Sequence, residues 1–177
     1  MHVRALAKMG SHKENRLTGA VPVAITGGAI RHVCLSADNR TVIVNVQGGR
    51  IHLYSAARLG QQITEAKAEY NFGKEIIGVQ PNPRDDRISV LFDDGMVTVL
   101  DAQGNAQMSI HKCQASSLCW SPDGEQLVLG LASGSVEVRD SGGALVASVR
   151  KPGSLDNKDV VGTESLAYAD NLIGWHR

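Results

Sequence analysis

The feature that most constrains the fold is an internal repeat. The segment that starts at Val33 and the segment that starts at Leu118 align without a gap at an offset of 85 residues. A third copy starts at Val79, which is 46 residues after the first and 39 residues before the last. A fourth copy begins at Ser165, near the end of the sequence. A period of roughly 40 residues is typical of propellers, solenoids and repeat arrays.

Each copy has the pattern of short antiparallel strands. An apolar strand is followed by a turn rich in Asp, Asn, Gly or Pro, a second strand, a glycine turn, and a third strand with alternation such as Val97 and Val99. Gly49, Gly95 and Gly134 occupy the hairpin positions that require a positive φ. Segments 106–110 and 144–149 can each form a fourth strand. Four antiparallel strands per repeat are typical of a β-propeller blade.

The repeats therefore predict an all-β chain with about three and a fraction four-stranded blades. The third strands end in Leu100-Asp101 and Arg139-Asp140 rather than Trp-Asp, so the propeller is WD-repeat-like but degenerate. Within the first blade, stretch 56–70 can hold a short helix, and 63–72 can equally be a strand. The expected segments are an N-terminal segment with a possible outer strand of a preceding blade (1–28), three blades (29–72, 74–110 and 113–150), a connector loop (151–164) and the start of a further blade (165–177).

The number of blades raises the question of how the ring closes. Propellers typically close with about 4–8 blades. Either the N-terminal segment, including 21–25, closes a four-bladed ring with 166–175, or the sequence is one part of a larger propeller, which we expect. Open blade edges attract other strands, so we expect missing sequence or a partner chain to cover them.

Charge and hydropathy exclude two classes of partner. The 18 Lys and Arg residues balance 18 Asp and Glu residues, whereas nucleic-acid binders are usually basic, so no direct nucleic-acid binding is expected. The charge is uneven, at +6 over residues 1–60 and −6 over 61–177, which reflects either chance or two sides that face different partners. No apolar run reaches the roughly 18–20 residues of a membrane span, so no membrane insertion is expected.

No catalytic or metal motif is recognisable, so neither enzymatic activity nor a cofactor is predicted. Gly27-Gly28 and Gly48-Gly49 lack the GK[ST] sequence of a phosphate-binding loop, and the six histidines lack metal-ligand spacing. Three cysteines without a CxxC pair favour a reducing compartment. Cys34 and Cys119 occupy equivalent repeat positions, which predicts packed core thiols, whereas Cys113 is predicted to lie in a loop.

Two acidic pairs and two tryptophans remain to be interpreted. Asp85-Asp86 lies in a first-to-second-strand turn and Asp93-Asp94 in a second-to-third-strand turn, so the pairs are predicted to emerge on opposite faces. Turn formation explains both pairs, and salt-sensitive docking of a basic partner on one face is the alternative. Trp120 and Trp175 are predicted to pack within blades. The sequence assigns no partner-binding residue.

The ordered set of repeats also resembles a known family. Runs 30–42, 79–83 with 94–100, and 117–130, followed by a connector that starts at 150–155, are similar in order and spacing to blades of the large FG-nucleoporin on the cytoplasmic face of the nuclear pore. The resemblance covers roughly residues 20–175. The phenylalanine-glycine repeats of that family are not part of this sequence, in which Phe72-Gly73 occurs once.

The resemblance implies a fold and a function. The N-terminal propeller of that family has seven blades and docks a DEAD-box mRNA-export helicase. The resemblance therefore implies that this chain is a non-enzymatic docking scaffold at the cytoplasmic face of the pore, with the helicase and other nucleoporins as partners. The alternative is a WD-repeat interaction subunit of another multiprotein assembly, in the cytoplasm. The basic N-terminus lacks the serine-rich composition of a mitochondrial transit peptide.

Overall fold

The structure is a computed structural model that describes residues 25, 27–58 and 65–150, and the backbone of 165–169 and 172–176. Fourteen strands and one 3-10 turn (Ala56–Arg58) make up the regular structure of these residues. The strands are β1 (Ile30–Leu35), β2 (Thr41–Val46), β3 (Arg50–Ser55), β4 (Ala68–Asn71), β5 (Ile76–Pro81), β6 (Ile88–Phe92), β7 (Val97–Leu100), β8 (Ala106–Ile110), β9 (Ala115–Trp120), β10 (Gln126–Leu131), β11 (Val136–Asp140), β12 (Leu145–Val149), β13 (Ser165–Ala169) and β14 (Leu172–His176).

The strands form three four-stranded antiparallel sheets and one hairpin. Strands β1–β4, β5–β8 and β9–β12 each pair in chain order, and β13 pairs with β14. The first strands of successive sheets lie next to each other, β1 beside β5, β5 beside β9, and β9 beside β13. They are therefore the innermost strands, and each sheet is a propeller blade with its fourth strand outermost. This confirms the predicted all-β propeller fold, while the number of blades in a full ring stays a prediction.

The stretch after β3 contains both elements that the sequence left open. The 3-10 turn follows β3 directly, and β4 forms the fourth strand of the first blade. Residues 59–64, the predicted connector 151–164 and most of the N-terminal segment lie outside the described residues. The predicted division of the whole chain into segments, and the closing strand expected at 21–25, therefore stay predictions.

The hydrophobic core lies between blades, because each middle strand is covered on both faces. In β6, Ile88, Val90 and Phe92 pack towards the first blade, whereas Leu91 packs towards the third. All five residues of β6 are buried, as expected for a strand with a neighbouring blade on each side. Burial of such side chains supplies about 1.5–3 kcal/mol each. The side chains of β6 therefore contribute to two hydrophobic cores, one on each side of the second blade.

Cys34, Cys119 and Trp120 are packed as predicted. Cys34 packs against the core between the first and second blades, and Cys119 is buried within the third. Burial raises the pKa of each thiol to about 11. Trp120 is buried between the second and third blades, with the Arg87 guanidinium 5.2 Å from its ring centroid. The side chain of Trp175 lies outside the described residues.

Candidate protein-docking face

The turns divide between two faces of the propeller. We call the end that carries the turns after the first and third strands of each blade the first-turn face. Its turns within the described residues are 36–40, 56–58 with 65–67, 82–87, 101–105, 121–125 and 141–144. The opposite face carries the turns after the second strands and the links between blades. Alternate turns of an antiparallel meander emerge at opposite ends, which produces this division.

The first-turn face is built on a repeated serine–aspartate turn. In the first blade, the Ser36 hydroxyl donates to Asp38 Oδ1 at 2.6 Å, and the Thr41 backbone N–H donates to Ser36 Oγ at 3.0 Å. In the third blade, the Ser121 hydroxyl donates to Asp123 Oδ1 at 2.5 Å. These bonds hold both turns in one geometry, so the charged side chains next to them are displayed from a fixed backbone.

The equivalent turn of the second blade uses Asn82 and joins two blades. Asn82 is fully buried, and its Nδ2 donates to the Gly124 carbonyl of the third blade at 2.9 Å. Its Oδ1 accepts the Arg84 backbone N–H at 2.8 Å. Arg87 donates to both oxygens of Asp85 and, at 3.2 Å, to the same Gly124 carbonyl. These hydrogen bonds to Gly124 therefore connect the second and third blades at this face.

A groove of about 360 Å³ opens on this face between the first and second blades. Its apolar lining includes Ile43, Leu53 and Ile88, which belong to β2, β3 and β6. Charged side chains of the turns lie around it, among them Asp86 and Lys67. A volume in this range accommodates side chains of a bound segment.

Acidic residues outnumber basic ones in the described turns of the first-turn face, by seven (Asp38, Glu65, Asp85, Asp86, Asp101, Asp123 and Glu125) to five (Arg40, Arg58, Lys67, Arg84 and Arg87). Several charges pair within the face, such as Arg87 with Asp85 at 2.8 Å and Arg84 with Glu125. Desolvation raises the pKa of Asp85, but hydrogen bonds from Arg87 outweigh it, and the pKa is lowered overall. Asp86 is exposed at the groove.

The second acidic pair lies on the opposite face, at the other end of β6. Asp94 Oδ1 accepts the Met96 backbone N–H at 3.0 Å, and Asp94 Oδ2 pairs with Lys74 at 2.6 Å. Asp93, its neighbour, is exposed. The prediction that the two pairs are separated is therefore confirmed, and Asp85 and Asp94 both have the turn-forming role expected from the sequence.

The described residues do not assemble a metal site, since no group of three or more His, Cys, Asp and Glu side chains is placed to hold an ion. No helix in this part of the chain is long and apolar enough to cross a membrane. His52 is buried, with Nδ1 3.4 Å from the Tyr54 hydroxyl and 3.5 Å from Glu69 Oε1, and its Nε2 has no hydrogen-bond partner. None of His52, Tyr54 and Glu69 lines the groove.

The aspartate turns predict how stability depends on pH. The Ser36 and Ser121 hydroxyls lower the pKa of Asp38 and Asp123 below the usual value. A lowered native pKa contributes stability above the unfolded pKa of about 3.9 and loses it as pH falls through the native pKa. We expect the thermal midpoint, followed by circular dichroism, to drop below about pH 4. The double variant Asp38→Asn, Asp123→Asn should show a shallower drop, and an unchanged slope would contradict this assignment.

The blades and their turn faces define the class of protein, a WD-type β-propeller whose faces are formed by rigid turns. Propellers of this class are typically interaction scaffolds. The sequence matches the family model described as NUP159/214 beta propeller over residues 2–174, so this chain belongs to the NUP159/214 β-propeller family. The family is a nucleoporin family and implies an association with the nuclear pore.

Solved structures support the fold. The chain is similar to Chaetomium thermophilum Raptor (TM-score 0.69, 10% identity, 86% of this chain and 15% of that chain). It is also similar to a chain of the mitotic checkpoint complex (TM-score 0.65, 14% identity, 86% and 44%) and to the Myceliophteria thermophila Cps50 (Swd1) β-propeller domain (TM-score 0.61, 12% identity, 75% and 45%). The chain thus spans less than half the length of these neighbours. Comparison with curated proteins gives no significant match.

The sequence predicted the turns of this face. It did not indicate the groove beside them or the hydrogen bond from Asn82 to the next blade. Asn82 occupies the repeat position of Ser36 and Ser121, so alignment of the repeats would have marked it as a turn residue. Its partner, Gly124, lies 42 positions away in the next blade. The repeat period does not reveal such a contact.

Proposed function

We propose that this chain is a non-enzymatic docking scaffold of a nucleoporin, acting at the cytoplasmic face of the nuclear pore in mRNA export by binding a DEAD-box helicase. The observation that carries the proposal is the match to the NUP159/214 propeller family over almost the whole sequence. Other nucleoporins are the further partners that this role requires.

The mechanism is rigid display of charged turns. The serine–aspartate turns and the Asn82 link hold the first-turn face in one shape, which reduces the entropy lost on binding. Its excess of acidic side chains suits a basic surface, such as the one with which a helicase binds RNA. The scaffold and RNA would then compete for the same basic surface. The groove beside Asp86 is the site at which we expect a helicase side chain to insert.

Binding of a purified DEAD-box helicase to this chain tests the proposal. We expect the dissociation constant, measured by surface plasmon resonance, to rise clearly between about 50 and about 300 mM salt, because the screening length shortens by a factor of roughly 2.5 over this range. Added single-stranded RNA should compete. The absence of binding, or binding that does not respond to salt, would rule out the electrostatic docking mechanism.

A matched pair of charge reversals identifies the face. Asp86 and Asp93 are both exposed and lie at opposite ends of β6. Asp86→Lys should weaken helicase binding by about tenfold, whereas Asp93→Lys should leave it unchanged. The reverse result would place the helicase on the opposite face. Stable recovery of a different multiprotein assembly, without the helicase, would favour the alternative of a WD-repeat subunit with other partners.

A further inference from the structure

The boundary between the second and third blades is bridged on the first-turn face by three side chains of one turn. Asn82 and Arg87 donate to the Gly124 carbonyl at 2.9 Å and 3.2 Å. Arg84, from the same turn, forms an ion pair with Glu125. Two guanidinium groups of the second blade therefore take part in joining it to the third.

The boundary between the first and second blades has an equivalent turn without these bridging side chains. The two turns are 46 positions apart and have the same length, because each lies between paired strand residues, Leu35 and Val42 in the first blade and Pro81 and Ile88 in the second. Shorter side chains occupy the bridging positions, Ser36 in place of Asn82, Asp38 in place of Arg84 and Thr41 in place of Arg87. Within the described residues, no hydrogen bond or ion pair joins these two turns.

The acceptors of the bridge are nevertheless retained in the second blade. Asp85 and Asp86 precede Gly124 and Glu125 by 39 positions, so they occupy the places of the accepting carbonyl and the accepting carboxylate. Ser36, Thr41, Asp38 and both aspartates of the second blade line the groove. The groove is thus a blade boundary whose acceptors are present and whose bridging side chains are too short.

The basic residues at the groove leave the Asp86 carboxylate without a partner. Arg87 is paired within its own turn, and Arg40 Nε lies 3.8 Å from Asp38 Oδ2 with 87% of the Arg40 side chain exposed. Lys67 is the third cation that lines the groove, but it forms no ion pair in the described part of the chain. Asp86 is exposed and its carboxylate has no hydrogen bond among the same residues. This carboxylate is therefore open to a cation from a partner.

We propose that the groove binds an arginine side chain of a protein partner, which completes the missing bridge between the first and second blades. The guanidinium donates to the Asp86 carboxylate and the Asp85 carbonyl, as second-blade guanidinium groups donate to the third blade. Its aliphatic stem lies over the apolar lining of the groove. A guanidinium suits this site better than an ammonium, because its planar fork of donors reaches a carboxylate and a carbonyl together. The inference rests on the proposed docking role of this face and names the side chain that the partner supplies.

Peptide binding to the 177-residue chain tests the chemistry of the site. The probe is a pentapeptide with one arginine between glycines, blocked at both ends and titrated while backbone amide signals are followed by nuclear magnetic resonance. We expect it to shift the signals of Thr41 and Asp86. The lysine analogue should bind several times more weakly, and the neutral citrulline analogue should leave the signals unchanged. Equal binding of the arginine and citrulline peptides, or no binding of the arginine peptide, would overturn the proposal.

A matched pair of neutral variants assigns the binding to the groove. Asp86→Asn removes one carboxylate from an exposed position and should raise the dissociation constant of the arginine peptide by about tenfold. Asp93→Asn makes the same change at the other end of β6, on the opposite face, and should leave the dissociation constant unchanged. An equal response to both variants would contradict binding at the groove.

Grafting the second-blade residues into the first turn closes the site from within the chain. In the double variant Ser36→Asn, Asp38→Arg, the first blade supplies its own donors to Asp85 and Asp86, as the second blade does to the third. We expect the arginine peptide to lose binding while the thermal midpoint, followed by circular dichroism, does not fall. Asp93→Arg changes the net charge by the same amount on the opposite face and should keep peptide binding. Retained binding by the double variant, or a lower midpoint, would contradict the equivalence of the two blade boundaries.

The purified helicase separates this inference from the proposed function. If the helicase binds the double variant as tightly as the unmodified chain, the arginine site is wrong and the docking role of the chain is kept. If the arginine peptide binds at the groove and the helicase does not bind the chain, the arginine site is supported and the partner is a different protein.

Discussion

Replacing Gly49 with alanine is expected to lower the free energy of unfolding by about 3 kcal/mol or more. Gly49 has a φ of +73° in the turn between β2 and β3. An alanine Cβ would overlap the backbone carbonyl oxygen of Lys74, in the link between the first and second blades. Two effects therefore destabilise the alanine variant, the strain of a positive φ and the overlap of its Cβ with the backbone of Lys74. Urea unfolding monitored by circular dichroism measures the loss.

The neighbouring glycine provides the control. Gly48 has a φ of +86°, but a Cβ there would meet nothing within 4 Å. Gly48→Ala should therefore lower the free energy of unfolding by only about 1–2 kcal/mol, which is the cost of a left-handed backbone for a residue with a Cβ. If the two variants lost the same free energy of unfolding, the contact between Lys74 and Gly49 would not contribute to the cost of the substitution.

Truncation of Phe92 is expected to cost about 3–5 kcal/mol, the usual range for a buried phenylalanine changed to alanine. Phe92 ends β6 and is 2% exposed in the core between the first and second blades. Its removal leaves a cavity that rigid strands on both sides cannot fill. The same urea experiment measures the loss, and a drop in cooperativity would show that the two blades unfold separately.

Phe72 is the matched control for this core. Its ring packs edge-on to Phe92 at a centroid distance of 5.7 Å, but it is only partly buried. Phe72→Ala removes the aromatic contact, worth about 0.5–1.5 kcal/mol, and part of the apolar burial. It should therefore cost clearly less than Phe92→Ala. A larger loss at Phe72 would contradict the assignment of Phe92 to the centre of this interface.

Sequence reasoning recovered the blades because their signals are local. Strand alternation and the glycines at turn positions depend on residues within about ten positions of one another. Gly49, Gly95 and Gly134 have φ values of +73°, +77° and +79°, as the hairpin pattern requires. The repeat offset then placed Cys34 and Cys119 in equivalent strands, where both are packed.

The candidate docking face could be predicted only in part. The Asp-rich turns and their separation between two faces followed from strand order, as Asp86 and Asp93 show. The groove depends on how far the second blade is rotated from the first, which brings Lys67 of one blade near Asp86 of the other. Side-chain packing across the interblade core sets that rotation, and no pattern within one repeat encodes it.

The sequence by itself determined that this chain is a repeat of four-stranded antiparallel units, because side-chain alternation and positive-φ glycines restrict each segment to strand or turn. It also determined the family, since the order of the repeats extends over nearly the whole chain. Only the tertiary structure decided which repeated positions are covered. Ile110 and Val149 occupy equivalent repeat positions, each opposite the first valine of the preceding strand, yet one is buried and the other is half-exposed. Among the described residues, a complete blade packs against Ile110, whereas only the β13–β14 hairpin lies beside the third blade.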